Sequence, residues 1–134
     1  MSDAPSTVTV KKADGTTDIV YTTITSASSD GSQWLLRAEA AGGPTGFRST
    51  FSVSSKSNGL GTIRVVKFYG KMPHTYTDTN SGLVKTDGFA DFSATFNVPA
   101  SLPSSHLAEL AAQFTELMAT SYSKDAISTG YAPT

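Results

Sequence analysis

Residues 47–68, FRSTFSVSSKSNGLGTIRVVKF, decide the fold. Phe47, Ser49, Phe51 and Val53 occupy alternate positions, and Arg48, Thr50, Ser52, Ser54 and Lys56 occupy the positions between them. Side chains alternate across a strand with period two, so this is a strand with one apolar and one polar face. Asn58-Gly59 tolerates the positive φ of a tight turn. Beyond it, Ile63 and Val65 share one face, and Thr62, Arg64 and Val66 share the other. The stretch reads as a long hairpin with one buried and one largely polar face.

Residues 89–98, FADFSATFNV, repeat the pattern. Phe92, Ala94, Phe96 and Val98 point one way; Asp91, Ser93, Thr95 and Asn97 point the other. Upstream, Thr7–Lys11 and Asp18–Tyr21 alternate around Asp14-Gly15 and predict a short hairpin. Residues 33–39, QWLLRAE, give a third strand. Asp30-Gly31, Gly42-Gly43-Pro44, Asn80-Ser81-Gly82 and Asp87-Gly88 supply further turn signals.

The period then changes. Leu107, Leu110, Ala111, Phe114, Leu117 and Met118 recur at helical spacing and predict an amphipathic helix of about four turns. Ser104 or Ser105, after Pro103, is its expected cap, and Glu109 suits the dipole in its first turns. A short helix over 123–128 is expected next, capped by Ser123 and ended at Gly130. Six strands followed by helices define an α+β chain with an antiparallel sheet.

This order divides a single domain, 1–134, into a hairpin region (1–30), a main sheet (31–99) and a helical region (100–134). One helix is little cover for so much apolar sheet. Burying its stripe yields roughly 10 kcal/mol gross, at about 1.5–3 per large side chain. Obligate dimerisation, with helices crossing onto a partner's sheet, solves the shortage.

The chain has 134 residues, 10 Lys+Arg against 11 Asp+Glu, and a net charge of −1. Nineteen Ser and nineteen Thr suit strands with a polar, mostly uncharged face and argue against a helical bundle. There is no cysteine, hence no disulfide framework and no thiolate zinc site. The start, MSDAPS, has neither the basic nor the apolar part of a signal peptide, and no apolar run is long enough to span a membrane.

Charge is unevenly placed. Between Glu39 and Asp78 there is no acidic residue, while Arg48, Lys56, Arg64, Lys67 and Lys71 give that stretch +5. Arg48, Lys56 and Arg64 have the parity of the polar face. A basic sheet face flanked by hydroxyls can read phosphates and bases. The plainer reading is a solvated face whose lysines discourage edge pairing. Charge alone favours the solvated face over the nucleic-acid reader.

Catalytic and metal signals are sparse. The two histidines, His74 and His106, form no HxH or HExxH pattern, and 19 serines make any Ser–His proximity unremarkable. No catalytic residue, metal ligand or cofactor is expected. Trp34 is expected in the core or at a subunit contact.

With residues 47–68 and 92–99 carrying the likeness, the chain resembles the coat proteins of single-stranded RNA bacteriophages, the leviviruses. The resemblance runs through element order and length over nearly the whole chain. It implies an amino-terminal β-hairpin, a five-stranded antiparallel sheet, two carboxy-terminal helices and an interlocked homodimer. Dimers would assemble into an icosahedral T=3 shell, the virion, in the bacterial host's cytoplasm. Its partners would be the single-stranded genomic RNA, on the inner sheet face, and a maturation protein, with no membrane.

The dimer core implied is Phe92, Phe96, Leu107, Leu110, Phe114, Leu117 and Met118. The RNA-binding set is Arg48, Thr50, Ser52, Ser54, Lys56, Asn58, Thr62, Arg64, Ser93 and Thr95. Thr50, Thr62 and Ser52 match residues that shape base pockets in the family, Arg64 stands at a lysine position, and Asn58 matches a loop asparagine. Better known members also repress translation by gripping an RNA hairpin. Asp91 stands where they stack a base on tyrosine, and Ser93 replaces an RNA-contacting asparagine, so general RNA binding carries over better than that specificity. Residues 70–86 match the family's loop at the shell axes. The alternatives are a non-assembling RNA- or ligand-binding α+β module and a small enzyme using His74, Asp87 or Asp91.

Overall fold

The computed structural model describes residues 4–26, 33–39 and 48–134. Phe47 and the turn signals at Asp30-Gly31 and Gly42-Gly43-Pro44 lie outside them. The chain divides into two compact units, Met1–Asn97 and Val98–Thr134.

The first unit is a sheet of six strands, each beside its neighbour in sequence: β1 (Thr7–Lys11), β2 (Asp18–Thr25), β3 (Gln33–Ala38), β4 (Thr50–Ser57), β5 (Ile63–Thr77) and β6 (Val84–Pro99). The amino-terminal hairpin is therefore not separate from a five-stranded sheet. β2 pairs antiparallel with β3 from Tyr21↔Ala38 to Thr23↔Leu36, which makes the sheet six strands wide. Pairing then slips to Thr25↔Leu35, leaving Ile24 as the extra residue of a bulge.

Local chemistry sets the turns. Asp14 Oδ1 accepts the backbone N–H groups of Thr16 and Thr17 at 2.9 and 2.8 Å. The Thr17 hydroxyl, and then those backbone bonds, favour the charged carboxylate and lower its pKa to about 2. In the β4–β5 turn, Asn58 Oδ1 accepts from Thr62 N and Ile63 N, and Asn58 Nδ2 donates to Thr62 Oγ1. The positive φ falls at Gly61 (70°) rather than at Gly59.

The stretch 70–86 is mostly strand, not loop. β5 continues to Thr77 and β6 begins at Val84; only the segment 78–83 turns, closed by Asp78 N–H to Leu83 O at 2.8 Å. Gly70 has a reason to be mid-strand. A Cβ there would lie 2.5 Å from Cε1 of the Phe92 ring, so its absence seats that ring on the sheet.

One face of the sheet is aromatic. Phe51 stacks near Phe92 (centroids 6.2 Å, 22° between planes) and contacts Phe68 at 6.1 Å; Phe68 meets Phe96 edge-on at 5.8 Å. Such offset and edge geometries suit the ring quadrupoles. Trp34 and Leu36 lie on this face opposite Val53 and Phe51, and Trp34 Nε1 donates to Thr23 Oγ1 at 2.9 Å. Among the described apolar residues only Leu36 and Ala38 are buried.

The second unit holds α1 (Ser104–Met118) and α2 (Ser121–Thr129). Neither serine caps α1. Pro103 is the N-cap residue, with no side-chain bond, and no acidic residue sits in the first turn. Glu109 instead accepts from Gln113 Nε2 at 2.8 Å, one turn on. α2 starts two residues earlier than expected because Thr120, not Ser123, is its cap, its side chain accepting from Ser123 N. It ends, as its sequence predicts, at left-handed Gly130 (φ 82°). No residue of either helix is buried, and Phe114 (49%), Leu117 (56%) and Met118 (48%) stand exposed.

Candidate nucleic-acid interface

The face opposite the aromatic one is built by register. β4 and β5 pair as Thr50↔Lys71, Ser52↔Tyr69, Ser54↔Lys67 and Lys56↔Val65. Directly paired residues share a face. β3 adds Arg37, opposite Thr50, and Leu35, opposite Ser52. On β6, Asp91, Ser93 and Thr95 alternate with the inward rings Phe92 and Phe96 and so belong to the hydroxyl side. Phe89 is there as well, since Lys71 Nζ lies 4.0 Å from its ring centroid.

Thr50, Ser52, Ser54, Lys56, Ser93 and Thr95 therefore come together as their sequence predicts. Arg64 does not join them. It pairs with Ser57 and donates from Nη1 to Ser55 Oγ at 3.1 Å, on the side of Phe51 and Phe68. Thr62 and Asn58 are engaged with each other in the turn. Arg48 precedes β4, and its Nε is buried with no hydrogen-bond partner among the described residues.

The cause is the parity of the hairpin. Asn58 N–H bonds to Ile63 O, so four residues make the loop. An even loop pairs odd positions with even ones, and Lys67, Tyr69 and Lys71 take the places that matching parity assigns to Arg64. The residues missed were Arg37, Lys67, Tyr69 and Lys71. The loop length was the signal that could have found them.

The face carries Arg37, Lys56, Lys67 and Lys71 against Asp91 and Glu39, the latter accepting from Thr22 Oγ1 at 2.6 Å. At the outer hairpin Lys11 is paired with Asp18. Lys67 and Lys71 are four residues apart, about 13 Å along the strand. The arrangement offers separated cations, small hydroxyls and two exposed rings, a surface suited to an extended polyanion.

His74 Nδ1 meets Asp87 Oδ1 at 2.7 Å, and the bond holds the Asp87 carboxyl below the ordinary range. Both side chains are more than half exposed, so the contact is a polar link between neighbouring strands open to water. No three His, Asp or Glu side chains among the described residues converge as a metal site would require.

An antiparallel sheet followed by two helices matches the fold of RNA bacteriophage coat proteins, the sheet here having six strands rather than five. The virus-like particle of Beihai levi-like virus 21 superposes with a TM-score of 0.79 at 10% identity, covering 98% of this chain and 99% of that one. The virus-like particle of bacteriophage AVE019 gives 0.75 at 18% identity, over 97% and 98%. The capsid protein of bacteriophage GA gives 0.72 at 12% identity, over 94% and 95%. No protein-family model and no curated protein sequence matches the chain.

Proposed function

We propose that this chain is the coat protein of a single-stranded RNA bacteriophage, a structural protein and not an enzyme. It forms homodimers that close into an icosahedral shell around the genome. The observation carrying this is the end-to-end likeness to coat proteins and virus-like particles, which spans both units.

Physical features support the dimer. β6 is an edge strand of 16 residues, open on one side to pairing with a second copy. Phe114, Leu117 and Met118 of the α1 stripe stand exposed in the single chain, with Leu107 and Leu110 half-buried beside them, and covering the three exposed side chains is worth at most roughly 5–9 kcal/mol gross at about 1.5–3 per side chain. A second copy, its β6 beside this one and its helices over the Phe51–Phe68–Phe92–Phe96 face, supplies both needs. That places Phe92 and Phe96 in the dimer core.

The hydroxyl face, with Thr50, Ser52, Ser54, Lys56, Ser93 and Thr95, then meets genomic RNA inside the shell. Asp91 and Ser93 remain poor substitutes for base-stacking and amide side chains, so we assign general RNA packaging to this face rather than the hairpin grip of a translational repressor. Assembly in the host cytoplasm and a maturation protein as a further virion partner complete the proposal.

The test is bacterial expression followed by size-exclusion chromatography with light scattering and an absorbance ratio. A megadalton species carrying nucleic acid is expected. A species of one or two chains free of nucleic acid would overturn the coat reading in favour of a non-assembling binding module.

A further inference from the structure

We propose that Tyr69 is a stacking platform for an unpaired RNA base, with Lys67 and Lys71 holding the phosphates on either side. The inference rests on the RNA-packaging reading and names the residue that contacts the base.

Tyr69 lies on the face away from the aromatic core, 41% exposed. Its direct neighbour on β4 is Ser52, and the diagonal ones are Thr50 and Ser54. None is bulky, so the ring has open space on that side. Lys67 and Lys71 share its strand and its face. Phe89, 59% exposed, holds Lys71 through a cation–π contact at 4.0 Å and so positions that ammonium over the sheet rather than out in water.

Exposed aromatic residues are common in strands and need no ligand. Here, however, the ring is bracketed by cations and faced by hydroxyls able to meet a base edge. Stacking on an aromatic side chain within a basic groove is how proteins hold single strands without strict sequence choice. Asp91 on β6 repels phosphate, which leaves the backbone to Arg37, Lys56, Lys67 and Lys71. Arg64, bonded to Ser55 on the other face, takes no part.

The experiment irradiates the expressed full-length protein, with its co-purified RNA, under short-wave ultraviolet light, then maps nucleotide adducts by mass spectrometry after nuclease and protease digestion. The peptide containing Tyr69 is expected to carry an adduct. In parallel, binding of a fluorescein-labelled oligoadenylate is measured for Tyr69→Leu and Tyr69→Trp. Loss of one stacked base predicts about five- to 150-fold weaker binding for Tyr69→Leu with the salt dependence unchanged, and near wild-type binding for Tyr69→Trp.

Adducts that avoid Tyr69, or equal binding by wild type and Tyr69→Leu, overturn the platform. Should Tyr69→Leu fail to fold, the wild-type adduct map and Tyr69→Trp still decide. Light scattering on the same sample separates the two readings. A shell without a Tyr69 adduct refutes the platform alone, and a Tyr69 adduct on a species that forms no shell refutes the coat reading alone.

Discussion

Replacing Lys67 with Ala should weaken RNA binding, and replacing Arg64 with Ala should not. Both are cations of β5 in the same basic stretch. Lys67 pairs with Ser54 on the hydroxyl face, whereas Arg64 pairs with Ser57 on the aromatic side. Each phosphate neutralised on a single strand contributes about −0.7 to the slope of log affinity against log salt. Lys67→Ala should flatten that slope by about 0.7, and a triple Lys56/Lys67/Lys71→Ala variant by about 2.1. Over a fourfold rise in salt, the wild type should then lose about 18-fold more affinity than the triple variant loses. Fluorescence anisotropy of a labelled single strand at several salt concentrations reads these slopes directly. Equal flattening by Arg64→Ala and Lys67→Ala would refute the register argument, as would an unchanged slope in the triple variant.

Other consequences follow from individual contacts. Gly70→Ala pushes against the Phe92 ring; overpacking strain of about 1–3 kcal/mol outweighs the roughly 0.5–1 gained by removing a strand glycine. Thermal unfolding should therefore fall by a few degrees, and a rise in melting temperature would show that the ring does not sit there. Asp14 has a folded pKa depressed from 3.8 to about 2, so its turn stabilisation is complete above the unfolded value and fades as pH falls through the folded one. The stability difference between wild type and Asp14→Asn should be flat above about pH 5 and shrink below it; a difference still constant down to pH 2 would contradict the turn geometry. If the chain forms the proposed shell, the absence of cysteine leaves its stability to subunit burial and RNA neutralisation, so particles should loosen in molar salt. Light scattering unchanged from low to molar salt would count against that.

Element order was legible because its signals are strongly periodic. Phe51 and Val53, Phe92 and Phe96, and the 107–118 stripe each fix a period and a face. The phase of β5 was not legible. Ile63, Val65 and Val66 put apolar residues on both parities, so hydropathy does not say which side Arg64 or Lys67 takes. Only the four-residue loop closed by Asn58 and Ile63 sets it. The β5–β6 arm was hidden for a related reason. Gly70, Pro73 and a run of Thr look like a loop, yet Gly70 serves Phe92 and the backbone stays extended to Thr77. Helix starts were displaced where serines crowd together. Four lie near the two starts, and the cap geometry selected Pro103 and Thr120 instead.

The proposed function requires a closed shell whose hydroxyl-and-lysine face meets the genome. Electron cryomicroscopy of the particle purified from bacteria tests it most directly. An icosahedral shell of dimers with β6 edges joined is expected, with RNA density against Lys67, Tyr69 and Lys71 on the inner surface. A shell that turns those residues outward, or particles that never form, would contradict it.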